Sequence, residues 1–285
     1  MATLRDIKRR IKSVQNTQQI TKAMEMVAAA RLRRAQAQVK AARPYGLKMQ
    51  QMLESIASAA AGLHHPLFEE RDIKKRLLVL FTSDRGLCGS YNGNIIRTAL
   101  QYIRESQPGS VSLGLIGKKG AGFFKRRPYP IAFSIPDLGG RIDLVRTRQI
   151  ANQITNMFLS GETDEVRLLY TSFVSMVRYR ITLERFLPVE RPDAESREMP
   201  SEYIFEPNAD KIFSNLVPRY CVTKILQAML ESFASEHGSR MIAMGNATRN
   251  AEEMIDNLTL IRNKARQAAI TKELLDIIGG VEALK

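Results

Sequence analysis

The sequence predicts an α/β protein: a long antiparallel two-helix coiled coil, built from the N- and C-terminal helices, with an inserted Rossmann-like α/β domain of mainly parallel sheet. The placement of helix breakers carries much of this. No proline precedes Pro44, and Gly46 is the only glycine among the first 61 residues. After Pro218 the chain runs 67 residues without another proline, whereas residues 62–161 hold 12 of the 17 glycines. Turns and strands therefore belong to the middle and uninterrupted helix to the two ends. The expected division is 1–61 for the first helix, 62–207 for the α/β domain and 208–285 for the last helix.

Apolar residues step by three and four through Leu4, Ile7, Ile11 and Val14, and again through Ala28, Leu32, Ala35, Val39 and Ala42, which is the seam of a heptad helix. Between these runs Gln18, Thr21 and Glu25 interrupt the seam, and the apolar positions shift to Ile20, Met24 and Val27, so the coil changes phase locally. The pattern resumes at Met49, Met52, Leu53 and Ile56, which favours a kink at Pro44 over an end, with a break as the alternative. In the last segment Asn208 or Asp210 is the expected N-cap, followed by Phe213, Leu216, Val217 and Tyr220. Small residues at Ala228, Ser232, Ser235, Ser239, Ala243, Ala247 and Ala251 suit close approach to the alanine-rich first helix. A domain inserted between the two helices makes the pair antiparallel.

In the middle, strand-like runs at Arg76–Ser83, Val111–Gly117, Ile131–Ile135 and Val166–Phe173 alternate with helical stretches near Ile95–Glu105 and Asp143–Leu159, as in a parallel sheet covered by helices. Arg180–Val189 reads as an added edge strand, and residues 190–207, with three prolines, as a connection.

If the first helix spans residues 3–57, its partner is used up near residue 264, and the chain beyond about 265 projects as a single helix roughly 30 Å long at 1.5 Å per residue. Ile270, Leu274, Ile277, Ile278 and Val281 then leave it apolar on most sides. A helix apolar around its circumference is a buried helix, and nothing else in the chain is left to cover it, so a partner must supply a sleeve.

The formal charge is +14, distributed as +9 on residues 1–61, +4 on 62–206 and +1 on 207–285. Arg5, Lys8, Arg9 and Lys12 form one cluster and Arg31, Arg33 and Arg34 a second. They are either a solvated face or a surface for an acidic partner. The longest apolar run, Leu77–Phe81, is far too short to span a bilayer, and no apolar signal segment opens the chain, so neither a membrane-spanning nor an exported protein is expected. Two cysteines 133 positions apart supply no disulfide framework.

No catalytic, cofactor or metal constellation is legible. The stretch Thr82–Asn94, TSDRGLCGSYNGN, closes the first strand and opens a helix, the usual ligand end of an α/β sheet. Its glycine spacing is nevertheless neither the dinucleotide fingerprint nor a phosphate loop, and IGKKGAG at Ile116–Gly122 lacks that spacing too. Cys88 near a helix start would need a base to act as a nucleophile, and His64, His65 and His237 fall in other segments, so a tight-turn role is expected. His64 and His65 lack a third ligand cluster for a metal, and Cys221 reads as a small packing residue.

Four stretches, ITKAMEMVAAARLRRAQ (Ile20–Gln36), SDRGLCG (Ser83–Gly89), ASEHGSRMIAMGNAT (Ala234–Thr248) and ARQAAITKELLDIIGG (Ala265–Gly280), together closely resemble the gamma subunit of rotary F-type ATP synthases, and the resemblance covers the whole chain. It implies a non-catalytic rotor, the central stalk, that transmits torque between a membrane ring of c subunits and a catalytic hexamer of alpha and beta subunits. The implied partners are alpha, beta, epsilon and the c ring, with one copy per complex, no cofactor, no nucleic acid and no direct membrane insertion. The implied location is peripheral, on the cytoplasmic face of a bacterial plasma membrane. By the same resemblance Met24, Arg31, Arg33 and Arg34 meet the lever loops of beta, and Arg266 and Gln267 its catch loops. Ser83, Asp84, Arg85 and Cys88 form a partner-facing loop. Ile270, Leu274, Ile277, Ile278 and Val281 form the bearing tip, and Tyr203 and Glu206 lie towards the ring or epsilon. Arg262 stands where the family commonly has tyrosine, and Gly238 and Gly245 where a better helix former is usual.

The alternative is a basic coiled-coil nucleic-acid-binding protein, whose affinity would fall steeply with salt. The absence of any aromatic residue among the first 44 argues against it, since none is there to stack on bases.

Overall fold

The computed structural model describes residues 3–59, 65–138, 142–175, 178–190 and 209–282. Helix α1 runs Leu4–Ala59 and α5 runs Ala209–Glu282. Pro44 and Pro218 lie inside these helices and end neither. A proline ring removes one backbone hydrogen bond, and the heptad seam on either side outweighs that loss. Asp210 falls inside α5 rather than capping it, because the helix already begins at Ala209. Asn208 lies outside the described residues. The start of α1 is closed by a capping box: Thr3 Oγ1 accepts the Asp6 amide at 3.2 Å, while Asp6 Oδ2 accepts the Thr3 amide at 3.3 Å.

Between the terminal helices come β1 (Arg76–Phe81), α2 (Tyr91–Glu105), β2 (Val111–Ile116), α3 (Lys118–Phe124), β3 (Ile131–Ile135), α4 (Leu144–Leu159), β4 (Glu165–Phe173) and β5 (Tyr179–Leu187). The sheet order is β3-β2-β1-β4-β5, parallel throughout except for β5, which pairs antiparallel to β4 at the edge. Helix α3 is absent from the sequence expectation because its seven residues, KKGAGFF, include two glycines. It forms because the chain holds its first turn: Thr82 Oγ1 accepts the Gly120 amide at 2.9 Å and Asp84 Oδ1 the Lys118 amide at 3.0 Å.

Chain packing divides the molecule into residues 30–239 and a second unit of residues 1–29 with 240–285. In the larger unit both faces of the sheet are covered, and the period of two along each strand sorts its residues. Leu78 and Leu80 of β1, with Leu113 and Leu115 of β2, pack under Tyr91, Ile95 and Ala99 of α2 and Phe124 of α3. Leu77, Val79 and Phe81, with Val166 and Leu168 of β4, form the opposite core with Ile150, Ile154 and Phe158 of α4. That second core also takes in Met49, Leu53 and Ile56 of α1 and Phe213, Val217, Cys221 and Ile225 of α5. The terminal helices thus complete the sheet's hydrophobic core. In the smaller unit the two helices run antiparallel, since Thr21 meets Thr248 and Glu25 meets Gly245.

Candidate functional site

A sheet whose order reverses beside β1 opens a crevice at the carboxyl ends of β1 and β4, where such folds hold ligands. Here the chain fills that place itself. On α5, Ser235 Oγ donates to the Thr171 carbonyl at 3.1 Å, and Glu231 Oε2 accepts the Phe173 amide at 2.6 Å. From the other side the Tyr91 hydroxyl donates to the Ser232 carbonyl at 3.2 Å. Burial raises the Tyr91 phenol far above its ordinary range, so it remains a neutral donor.

The SDRGLCG loop after β1 is closed by its own bonds. Ser83 Oγ donates to the Arg85 carbonyl at 2.6 Å, and Asn92, the second residue of α2, accepts the Ser83 amide through Oδ1 at 3.0 Å. Asn92 Nδ2 lies 3.2 Å from Cys88 Sγ. Asp84 spends both oxygens on backbone amides, those of Lys118 and Leu138. Ser83 and Cys88 are buried, so a surface contact from this loop falls to Arg85 and to Leu87, which is 62% exposed and held at φ +60°. Leu87 escaped sequence reasoning because its left-handed backbone has no residue-type signature outside glycine and asparagine. No group of three or more metal-ligating side chains occurs among the described residues.

On α1 the exposed Arg31, Arg33 and Arg34 flank the buried Leu32 and make no ion pair with another described residue. Met24 is half-buried in the smaller unit. The interruption of the seam has a physical cause there. Thr248 Oγ1 donates to Thr21 Oγ1 at 2.9 Å, and Gly245 sits against Glu25, whose Oε1 would lie 3.3 Å from an added Cβ. The glycine makes room for a carboxylate in the helix pair, which sets a packing gain against its cost to the helix. Lys22 pairs with the same Glu25 at 3.1 Å.

On α5, Arg266 and Gln267 are exposed, while Arg262 bonds Asn263 Oδ1 at 3.3 Å. Ile270, Leu274, Ile277 and Ile278 are 49–63% exposed. Val281 lies in the helix, but its side chain, like Tyr203 and Glu206 altogether, is outside what the structure describes. The residues sequence reasoning missed entirely are Arg43 and Glu231. The Glu231 side chain is 3% exposed and takes Arg43 Nη2 at 2.9 Å and Nε at 3.1 Å. Only a charged residue on a small-residue helix face hinted at it.

Terminal helices that complete the core of a mainly parallel sheet, and a helix end with exposed apolar side chains at Ile270, Leu274, Ile277 and Ile278, are features of an assembly subunit. A family model described as ATP synthase matches residues 3–284. The chain is 48% identical to the ATP synthase gamma chain of Moorella thermoacetica over the whole of both chains, and 48% identical to that of Desulforamulus reducens, again over the whole of both. Among solved structures, a chain of the Tetrahymena thermophila mitochondrial ATP synthase central stalk and c ring matches at TM-score 0.63 and 27% identity, covering 80% of this chain and 99% of that one. A chain of the Euglena gracilis mitochondrial enzyme, at TM-score 0.69 and 17% identity over 99% and 94%, shares the fold. This chain belongs to the ATP synthase gamma chain family.

Proposed function

We infer that this chain is the central-stalk rotor of an F-type ATP synthase and passes torque between the ion-driven c ring and the alpha/beta hexamer. It is a non-catalytic subunit of that enzyme, with alpha, beta, epsilon and the c ring as partners. The observation that carries this reading is likeness to gamma chains over the full length, and the geometry adds a shaft-forming helix pair with an uncovered apolar end. The nucleic-acid alternative finds no support among the relatives.

Within that role, the division 1–61, 62–207 and 208–285 separates shaft strand, foot and shaft strand with tip. Arg31, Arg33 and Arg34, with Met24 nearby, face acidic lever loops of beta, and their lack of ion pairs among the described residues supports this. Arg266 and Gln267 engage the catch loops, and Arg85 with Leu87 presents the loop after β1 to beta. Ile270, Leu274, Ile277, Ile278 and Val281 sit in the bearing, while Tyr203 and Glu206 point the foot towards the ring or epsilon. The subunit is peripheral, on the cytoplasmic face of a bacterial membrane; no described helix is long and apolar enough to cross one.

The test is reconstitution with alpha and beta subunits. The full chain should give unidirectional ATP-driven rotation, and a chain lacking residues 268–285 should assemble more weakly and turn with less torque while melting, alone, like the full chain. Failure of the full chain to rotate removes the function. Unfolding of the isolated truncated chain shows that the tip packs within its own subunit.

A further inference from the structure

In the larger unit, α1, α5 and the end of β4 line a partly open hollow of about 290 Å³. Its walls include Arg43 and Gly46 from α1, with Thr223, Lys224, Gln227 and Glu231 from α5. The volume lies at the small end of the about 300–1,000 Å³ common for ligand sites, which excludes a nucleotide and admits a small metabolite.

The charge of this cavity is lopsided. Glu231 is its only carboxylate, and that group is already satisfied: Oε1 takes two guanidinium nitrogens of Arg43, and Oε2 takes the Phe173 amide and the Ser172 hydroxyl. Lys224 Nζ has two distant partners, Glu184 at 4.0 Å, the outer limit of an ion pair, and the Tyr220 ring at 5.8 Å, and its side chain is 26% exposed. Arg43 is fixed in place by Glu231 and by the Phe173 carbonyl, which its Nη2 meets at 2.9 Å, yet remains 47% exposed. A preorganised guanidinium and an under-used ammonium therefore share one small hollow, whose remaining lining is mostly neutral hydrogen-bonding side chains.

Gly46 supports the same reading. It lies inside α1, where glycine costs about 0.5–1 kcal/mol relative to alanine, yet packing does not require it. An added Cβ would lie 3.4 Å from Gln227 Oε1 and 3.8 Å from Thr223 Cγ2, ordinary contact distances. What the missing side chain does is keep the hollow open.

We propose that this cavity is a binding site for a small anion, a phosphate- or dicarboxylate-bearing molecule of metabolite size, held between Arg43 and Lys224. The site stands independently of the rotor role. The experiment is calorimetric titration of the full chain with inorganic phosphate and, separately, malonate, each against chloride at matched ionic strength. Saturable binding of one or both is expected, and the stronger probe identifies the headgroup. Lys224→Gln, which removes one charge-assisted contact, should weaken it about tenfold. Gly46→Leu, which fills the hollow and favours the helix, should abolish it, with melting curves confirming that both variants fold. Absence of saturable binding by either probe overturns the site. So does equal binding by Gly46→Leu, which would assign the signal to the chain's general positive charge.

Discussion

Glu231 and Arg43, 188 positions apart in sequence, meet at 2.9 Å, and the two partners differ sharply in exposure: 3% for the carboxylate against 47% for the guanidinium. Removing the exposed partner strands a buried charge, whereas neutralising the buried one leaves an arginine that can turn to water. Arg43→Ala, which leaves the carboxylate only the Phe173 amide and the Ser172 hydroxyl, should therefore destabilise the chain by about 2–3 kcal/mol, and Glu231→Gln, which still presents an acceptor to the Phe173 amide, by about 1 kcal/mol. Denaturant melts of the two variants check the order. A Glu231→Gln variant worse than Arg43→Ala would mean the carboxylate is not held as described.

Gly117, between β2 and α3, has φ +95°, and an added Cβ would lie 2.1 Å from the Thr82 carbonyl oxygen, a backbone atom with nowhere to move. Gly117→Ala should cost about 3 kcal/mol or more. Gly122, five residues on and inside α3, has nothing within 4 Å of its Cβ position, so Gly122→Ala should be neutral or stabilising by up to about 1 kcal/mol. Thermal melts of the pair separate backbone strain from helix propensity.

The contrast between legible and hidden features follows the range of the interactions. Periodicity exposed α1, α5 and four of the five strands because each is written in residues a few positions apart, and Arg180–Val189 was readable as an edge for the same reason. Helix α3 was hidden because its stability comes from Thr82 and Asp84 in the loop after β1, more than 30 residues away in sequence, not from its own composition. The loop SDRGLCG was visible as a motif, but which of its side chains face outward was not, since that depends on Asn92 drawing Ser83 and Cys88 inward. Gly245 reads from sequence as a weak helix position because its reason, the Glu25 side chain packed against it, lies on the other helix. The Arg43–Glu231 tie left only one local trace, a charged residue on a small-residue helix face, because its partners are 188 positions apart.

The capping box at the start of α1 carries a pH dependence. Hydrogen bonds from the Thr3 hydroxyl and amide, with a smaller contribution from Arg9, hold the Asp6 carboxyl below its ordinary value of 3.8. A depressed carboxylate stabilises the folded form above its unfolded pKa, and that contribution is lost as pH falls through the folded value. Helicity of residues 4–8 should be constant above about pH 5 and fray below about pH 4. Amide and carboxyl chemical shifts followed from pH 6 to 2 report it, and Asp6→Asn should remove the transition.

Neutralising Arg31, Arg33 and Arg34 together should leave the melting of the isolated chain nearly unchanged, because exposed charges contribute little to stability and these three pair with no described residue. In the reconstituted complex the same variant should lose torque. Combining it with neutralised acidic loops on beta should add no further loss. Additive losses would separate the arginines from those loops.

The pairing of Arg43 with Glu231 also has a consequence during synthesis. Translation at about 5–20 residues per second separates the two by roughly 10–40 s, and for that interval the stripe of Leu32, Ala35, Val39, Met49 and Leu53 on the nascent α1 has no α5 to cover it. The residues of α1 thus leave the ribosome with an apolar stripe that stays open until the carboxyl-terminal helix emerges to cover it.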